Sequence, residues 1–501
     1  IDRLQFKQDF EGYLGNTRSH LFLLDLDSGA ISQLTHGLAD EIQPAWSPDG
    51  ASIAFLTKAG PEPDAHDNWD LYLIDARPGS TARQLTDTPE MENDPVWGRG
   101  YGPPRFSPDG RQLAYVRGGD PKDSWFGLVQ LAFSGFDGSA AHLPTTSLDR
   151  LTLDPHWSRD GRWVYFLLED DRSQLLARLR LKDGHIERLT HADSVVSEFD
   201  VASDGGVIAV YGTSNQPGEL AAIEHGRIRP LTHHNDGWAR EVSLVPAKNI
   251  EFTSADGTSV HALLLLPAGE KPEKGWPTLV SVDGGPVAQW QHEFDFEWQY
   301  FVQQGYAVVA ANPRGSSGRG FAYQRAIFAN WGFVDGPDVL AAADFAVRAG
   351  YADPRRLGIG GWSYGSQLTN FIIATDRRFK AATSGAGISN MLSGYGVDQY
   401  VREWEAELGL PWQNTALWLK MSYAFLHADQ ITTPTLFMCG SEDANVPAIG
   451  AQQMYQALRR LGVATELVIY PGEYHSFARP GFRIDVIRRY VEWYDRYLKA
   501  N

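Results

Sequence analysis

The sequence predicts two domains of different class: an all-β propeller followed by an α/β domain with a mostly parallel sheet and helices on both faces. Three observations predict it. The turn motif Trp46-Ser47-Pro48-Asp49-Gly50 recurs through the first half of the chain. Near Pro246 short alternating runs give way to apolar strand candidates that alternate with helix candidates. Within that second half, Gly361-Trp362-Ser363-Tyr364-Gly365 sits between an apolar strand candidate and a helix candidate. The expected domains are therefore 1–245 and 246–501.

In the first domain the motif returns as Phe106-Ser107-Pro108-Asp109-Gly110, and more loosely as Trp157-Ser158-Arg159-Asp160-Gly161 and Ala202-Ser203-Asp204-Gly205. Strand-like runs follow each copy: Ala51 to Leu56, Gln112 to Val116, Trp163 to Leu168 and Val207 to Tyr211. A second mark, Leu-Thr, stands at Leu34-Thr35, Leu85-Thr86, Leu151-Thr152, Leu189-Thr190 and Leu231-Thr232. The spacing of about 40–65 residues lies within or above that of propeller blades. Pro-Asp-Gly supplies a fixed φ, a side-chain turn bond and a positive-φ position, which together close a tight antiparallel turn. A single blade cannot bury both faces and must stack on neighbours. Residues 1–33 read as the tail of a unit, so one to three further blades are expected upstream of Ile1. Asp64, His66, Asp67 and Asp70 form an acidic cluster in a Pro-rich loop without regular ligand spacing, and they read as a solvated loop rather than a metal site. His233-His234, in a polar stretch, reads the same way.

Composition bounds the function classes. The chain has 501 residues, 43% of them hydrophobic, and a formal charge of -18. That charge argues against a general nucleic-acid or anionic-membrane partner. No run approaches the roughly 18 apolar residues of a membrane span. The single cysteine, Cys439, rules out an intrachain disulfide and reads as a buried core thiol. Residue 1 is Ile rather than Met, so the numbered chain is not expected to begin at the translation start, and localisation, cytoplasmic or periplasmic, is unreadable.

In the second domain, Ile250 to Thr253 and Val260 to Leu266 read as an antiparallel pair around Asp256-Gly257. Strand candidates then alternate with helices as far as Glu466 to Tyr470 and Ile484 to Leu498. Sites in such sheets lie at the carboxyl ends of strands. Ser363, Asp443 and His475 each follow a strand candidate. A serine hydroxyl needs an imidazole to take its proton, and the imidazole needs a carboxylate to hold its tautomer. The order Ser, Asp, His is that of an α/β hydrolase, with Ser363 on the nucleophile turn. Glu442 is the rival carboxylate, one residue away. The accompanying oxyanion donors are expected to be the Tyr364 N–H and one from Asp283-Gly284-Gly285-Pro286, with Gly285 preferred and Gly284 next.

These residues resemble the prolyl oligopeptidase family of serine peptidases, particularly its acylaminoacyl-peptidase-like branch. The marks are Gly361-Trp362-Ser363-Tyr364-Gly365, Asn312-Pro313-Arg314-Gly315-Ser316, Asp443 within Glu-Asp-Ala-Asn-Val-Pro, and Pro471-Gly472-Glu473-Tyr474-His475. The resemblance covers nearly the whole chain and implies hydrolysis of short peptides through an acyl-enzyme, with Ser363 as nucleophile, His475 as base and Asp443 as its orienter. It also implies a site between the domains, with the propeller limiting access. The chain departs from the branch at Asp283, where histidine is frequent, and at Ser366, where glycine is common. No tyrosine occurs within Ser281 to Pro286, so a tyrosine hydroxyl in the oxyanion hole is not expected.

Three alternatives stand beside this reading. A dipeptidyl-peptidase-like exopeptidase would need carboxylates to hold a free amine, and Glu293, Asp295 and Glu297 are candidates, against a simpler reading as the acidic start of a helix. An esterase would use the same triad. A propeller binding protein with a vestigial hydrolase domain is the non-enzyme alternative, opposed by the intact Ser, Asp and His. No cofactor and no metal are expected, since Gly358-x-Gly360 and Gly318-x-Gly320 are too short for a dinucleotide fingerprint. The expected partner is a short peptide substrate; an amino-terminal fragment of the same protein and oligomerisation stay open.

Overall fold

The computed structural model describes the chain except residues 59, 88–90, 93–101, 137–140, 225 and 500–501, and gives only the backbone of 91 and 92. The first half is built of antiparallel meanders. Strands Glu41–Trp46, Ser52–Thr57, Asp70–Asp75 and Arg83–Gln84 form one four-stranded sheet. Gln112–Gly119, flanked by Arg105–Phe106 and Gln130–Gly135, is the central strand of the next. Two further meanders, 152–188 and 195–230, are joined into one eight-stranded sheet through the parallel pair Gln174↔Val195. Four-stranded antiparallel meanders repeated in this way have the form of propeller blades.

The recurring turn works as its chemistry requires. Gly50 donates its N–H to the Ser47 carbonyl at 2.9 Å with φ +69°. The Ser47 hydroxyl donates to Asp49 at 2.6 Å and accepts the Ser52 N–H at 2.9 Å. Ser107 and Ser158 repeat this, with hydroxyl–carboxylate distances of 2.6 and 2.7 Å. The Leu-Thr mark has its own physical cause. Each threonine hydroxyl accepts an N–H from a neighbouring strand: Leu21 on Thr35, Leu71 on Thr86, Leu131 on Thr152, Leu176 on Thr190 and Leu220 on Thr232, at 2.8–3.0 Å. Thr190 is buried, so Thr190→Val leaves the Leu176 N–H without a partner and is expected to cost about 1–3 kcal/mol. A lowered urea midpoint with unchanged slope checks this; an unmoved midpoint contradicts it.

The second half is an eight-stranded sheet: β1 (Lys248–Thr253), β2 (Ser259–Leu265), β3 (Trp276–Val282), β4 (Ala307–Asn312), β5 (Ala352–Trp362), β6 (Ala381–Gly385), β7 (Thr435–Gly440) and β8 (Thr465–Tyr470). Their order is 1-2-4-3-5-6-7-8, with the β1·β2 and β2·β4 pairs antiparallel and the other pairs parallel. The inner strands are buried on both faces, as a parallel sheet under helices demands. Helices α1 (Phe296–Gln303), α2 (Asp335–Arg348), α3 (Tyr364–Thr375), α4 (Val401–Leu408), α5 (Ile449–Arg460) and α6 (Pro480–Tyr494) cover it. Cys439, at the end of β7, is fully buried, and burial pushes its thiol up to about 12.

The acidic loop at Asp64 is not solvated, contrary to the sequence reading. Asp64 is 5% exposed and accepts from Arg3 at 3.0 Å and from Arg18 at 2.9 Å. Asp67 pairs with Arg402 on α4, so the cluster ties the propeller side to the α/β domain. Polarity could not distinguish a solvated face from a buried ion-pair junction, because the arginines lie far off in sequence.

Candidate active site

Ser363 stands between β5 and α3 with φ 59° and ψ -125°, a conformation that non-glycine residues rarely adopt. Its neighbours must be small. A Cβ at Gly365 would lie 2.3 Å from the Val282 carbonyl, and one at Gly361 would lie 2.5 Å from the same oxygen. The end of β3 thus passes directly against the turn and holds it closed. Ser366, where glycine is common in the branch, is buried and shares a 2.6 Å hydrogen bond with Ser384, so the extra hydroxyl is satisfied.

Asp443 and His475 come together from the loops after β7 and β8. His475 Nδ1 lies 2.8 Å from Asp443 Oδ2, while Asp443 Oδ1 accepts the Val446 N–H at 2.6 Å. Burial raises the Asp443 carboxyl, and the bond from His475 opposes that rise. Glu442 is exposed and accepts from the Ser441 hydroxyl, so Asp443 and not Glu442 faces the imidazole. His475 is held in place by its main chain, whose carbonyl accepts from Trp362 Nε1 at 3.1 Å. A carboxylate on Nδ1 makes that nitrogen the proton carrier and leaves Nε2 with its lone pair available.

Tyr364 is the first residue of α3, so its N–H belongs to the donors a helix leaves unused at its start. The loop after β3 brings Gly284 against the turn: a Cβ there would be 3.8 Å from Ser363 Cβ. Gly285, with φ +121°, lines the same pocket as Ser363 and Tyr364. Asp283 faces the other way, into a cavity behind Trp362 that it shares with Asp295 and Glu297.

The acidic run divides. Asp295 caps α1, accepting the Trp298 N–H at 2.8 Å, which is the helix-start role. Burial raises the carboxyls of Asp295 and Glu297, the latter to about 8. Both line the cavity behind Trp362 and a second cavity that also holds His475, but not the pocket that holds Ser363 and Tyr364.

That pocket contains residues the sequence reading did not single out. Trp125, from the propeller, reaches into it beside Trp331, Tyr400 and Trp404. The Trp125 and Trp404 ring centres are 4.9 Å apart, and Trp331 meets Tyr364 at 5.0 Å edge to face. Glu407 pins the group: it accepts from Trp125 Nε1, Trp331 Nε1 and the Ala329 N–H, each at 2.7 Å. The only available signal was the tryptophan count, which reads equally well as core.

Asp335 underlies Tyr364. It accepts the Gly332 N–H at 2.7 Å and is paired with the Tyr364 hydroxyl. Burial raises its carboxyl to about 7, against the Tyr364 bond. The folded value lies above that of the unfolded chain, so the folded state holds an extra proton between about pH 4 and 7. Stability therefore falls as pH rises through that window, by at most about 1.4 kcal/mol per pH unit. Asp335→Asn keeps an acceptor for Gly332 and removes the titration. Its urea midpoint is expected to gain on that of the wild type from about pH 5 to about pH 8; a constant difference contradicts this.

The model of the prolyl oligopeptidase family matches residues 292–501. The uncharacterized peptidase YuxL of Bacillus subtilis is 30% identical over an alignment 516 positions long, spanning 99% of this chain and 77% of that protein. Dipeptidyl-peptidase 5 of Porphyromonas gingivalis is 26% identical, spanning 91% of this chain and 66% of its own length. Among solved structures, the acylaminoacyl peptidase of Pyrococcus horikoshii superposes with a TM-score of 0.85 at 22% identity, covering 100% of this chain and 77% of that one. At that identity the likeness speaks for the fold. The propeller and α/β architecture, the family match and the relationship to YuxL agree: the chain belongs to the prolyl oligopeptidase family of serine peptidases.

Proposed function

We propose that the chain hydrolyses short peptides of the acylaminoacyl-peptidase or oligopeptidase type through an acyl-enzyme on Ser363. The observation that carries this reading is the 2.8 Å His475–Asp443 bond, set after β7 and β8 of the same sheet whose β5 leads into Ser363 on a strained turn. His475 Nε2 takes the Ser363 proton as Oγ attacks the carbonyl, and Asp443 stabilises the imidazolium. The N–H groups of Tyr364 and Gly285, with Gly284 close by, receive the oxyanion. The imidazolium then protonates the leaving amine, and water releases the acyl group by the same steps in reverse order.

The indole-walled pocket beside Ser363 favours an apolar side chain on the acyl side of the scissile bond. It offers a poor anchor for a free ammonium group. Its carboxyl, Asp398, already accepts from Trp404 Nε1 at 2.8 Å and the Tyr400 N–H at 2.9 Å, and burial raises it to about 7. Blocked or longer peptides fit this better than dipeptide release from a free terminus, the activity in the name of the Porphyromonas relative. Paired chromogenic peptides with an apolar residue before the chromophore, identical except for an acetylated amino terminus, test this. The acetylated member is expected to have the higher kcat/KM. Preference for the free amine would move the chain to the dipeptidyl-peptidase reading, and cleavage of simple acyl esters alone would make it an esterase.

A further inference from the structure

The loops that carry Asp443 and His475 meet in the triad bond, in the Glu442 N–H to Glu473 carbonyl bond at 2.9 Å and in the Gly472 N–H to Ser441 hydroxyl bond at 2.9 Å. They are bridged again by a carboxylate from the far end of the chain. Asp9 stands at the tip of the hairpin formed by Lys7–Gln8 and Gly12–Tyr13, and is 7% exposed. One of its oxygens accepts the Ala444 N–H at 3.0 Å, and the other accepts the His475 N–H at 3.2 Å. Ala444 directly follows Asp443, and His475 is the imidazole residue itself. One planar group thus holds the main chain beside both halves of the acid–imidazole pair.

Asp9 is itself held. Its N–H donates to Gln399 Oε1 at 2.8 Å, and Gln5 Nε2 donates to the Gln399 carbonyl at 3.0 Å. The neighbouring Phe10 ring packs on Tyr474, with centres 5.0 Å apart. A carboxylate suits the place because it offers two acceptor atoms at fixed separation, and bonds to an ionised acceptor are stronger than neutral ones. Without it, the Ala444 and His475 N–H groups lose their partner, and Ala444 is buried.

We propose that Asp9 is a positioning residue for the triad, a clamp that fixes the Asp443 and His475 loops relative to each other; this rests on the assignment of Asp443 and His475 above. It touches neither substrate nor the reacting atoms. A misplacement of about 1 Å at such a pair is worth on the order of 10²-fold in rate.

The test compares Asp9→Ala, Asp9→Asn and Lys7→Ala in the full chain, with Asp443→Asn beside them. Lys7 anchors the same hairpin through the Val397 carbonyl at 2.8 Å without touching either loop. Asp9→Ala is expected to lower kcat by about 10- to 100-fold with KM within about threefold. Asp9→Asn, which keeps one acceptor oxygen, falls between, and Lys7→Ala stays within about twofold of wild type. Labelling of Ser363 by a small fluorophosphonate, which needs the triad but little substrate binding, slows in step with kcat. Wild-type kcat in Asp9→Ala, an equal loss in Lys7→Ala, or a change confined to KM overturns the clamp. Should Asp9→Ala not fold, an unchanged labelling rate in Asp9→Asn overturns it. Full activity in Asp443→Asn would instead overturn the triad assignment, so the two failures are distinguishable.

Discussion

Ser363→Ala is expected to lower kcat on peptides by on the order of 10⁴-fold or more while leaving the fold and KM nearly unchanged. In the proposed acyl-enzyme the Ser363 hydroxyl is the bond-forming group, and the neighbouring Ser366 is buried in its bond to Ser384 and does not replace it. The turn itself is held by glycine contacts with β3 and by the Ser363 N–H to Gly385 carbonyl bond at 2.9 Å, neither of which involves the hydroxyl. Replacement by alanine therefore removes chemistry without removing the site. Circular dichroism and binding of an uncleaved peptide separate these effects, and retention of activity above about one-hundredth of wild type would be incompatible with the covalent route.

Asp443→Asn is expected to cost about 10⁴-fold in kcat, and Glu442→Gln no more than about twofold. Asp443 is buried and spends one oxygen on His475 and the other on the Val446 N–H. An amide in its place presents a donor to Nδ1 and favours the wrong tautomer. Glu442 is exposed, one residue away and directed elsewhere. Steady-state kinetics on the two variants distinguish the carboxylates directly, and equal losses in both would contradict the geometry.

Much of this was legible in the sequence because it is written locally. The turn motif carries its own hydrogen bonds within five residues, and buried parallel strands read as continuous apolar runs, as in Thr435–Gly440. The glycines around Ser363 announce a close approach even though the approaching strand, β3, lies about eighty residues earlier in the chain. What the sequence concealed is what folding brings from far away. Trp125 reaches the pocket beside Ser363 from the propeller and binds Glu407, 282 residues on. Asp9 meets the His475 loop from 466 residues away. The acidic start of α1, by contrast, was legible as a helix start, and Asp295 takes the cap position there. The Asp64 cluster misled because its arginine partners share no local pattern with it.

The most direct test of the account is the site of covalent capture. Wild-type protein is treated with a fluorophosphonate and digested, and the modified residue is identified by mass spectrometry. The account predicts a single adduct on Ser363, formed in step with loss of peptidase activity and absent from Ser363→Ala. An adduct on another residue, or full inhibition with Ser363 unmodified, would contradict it.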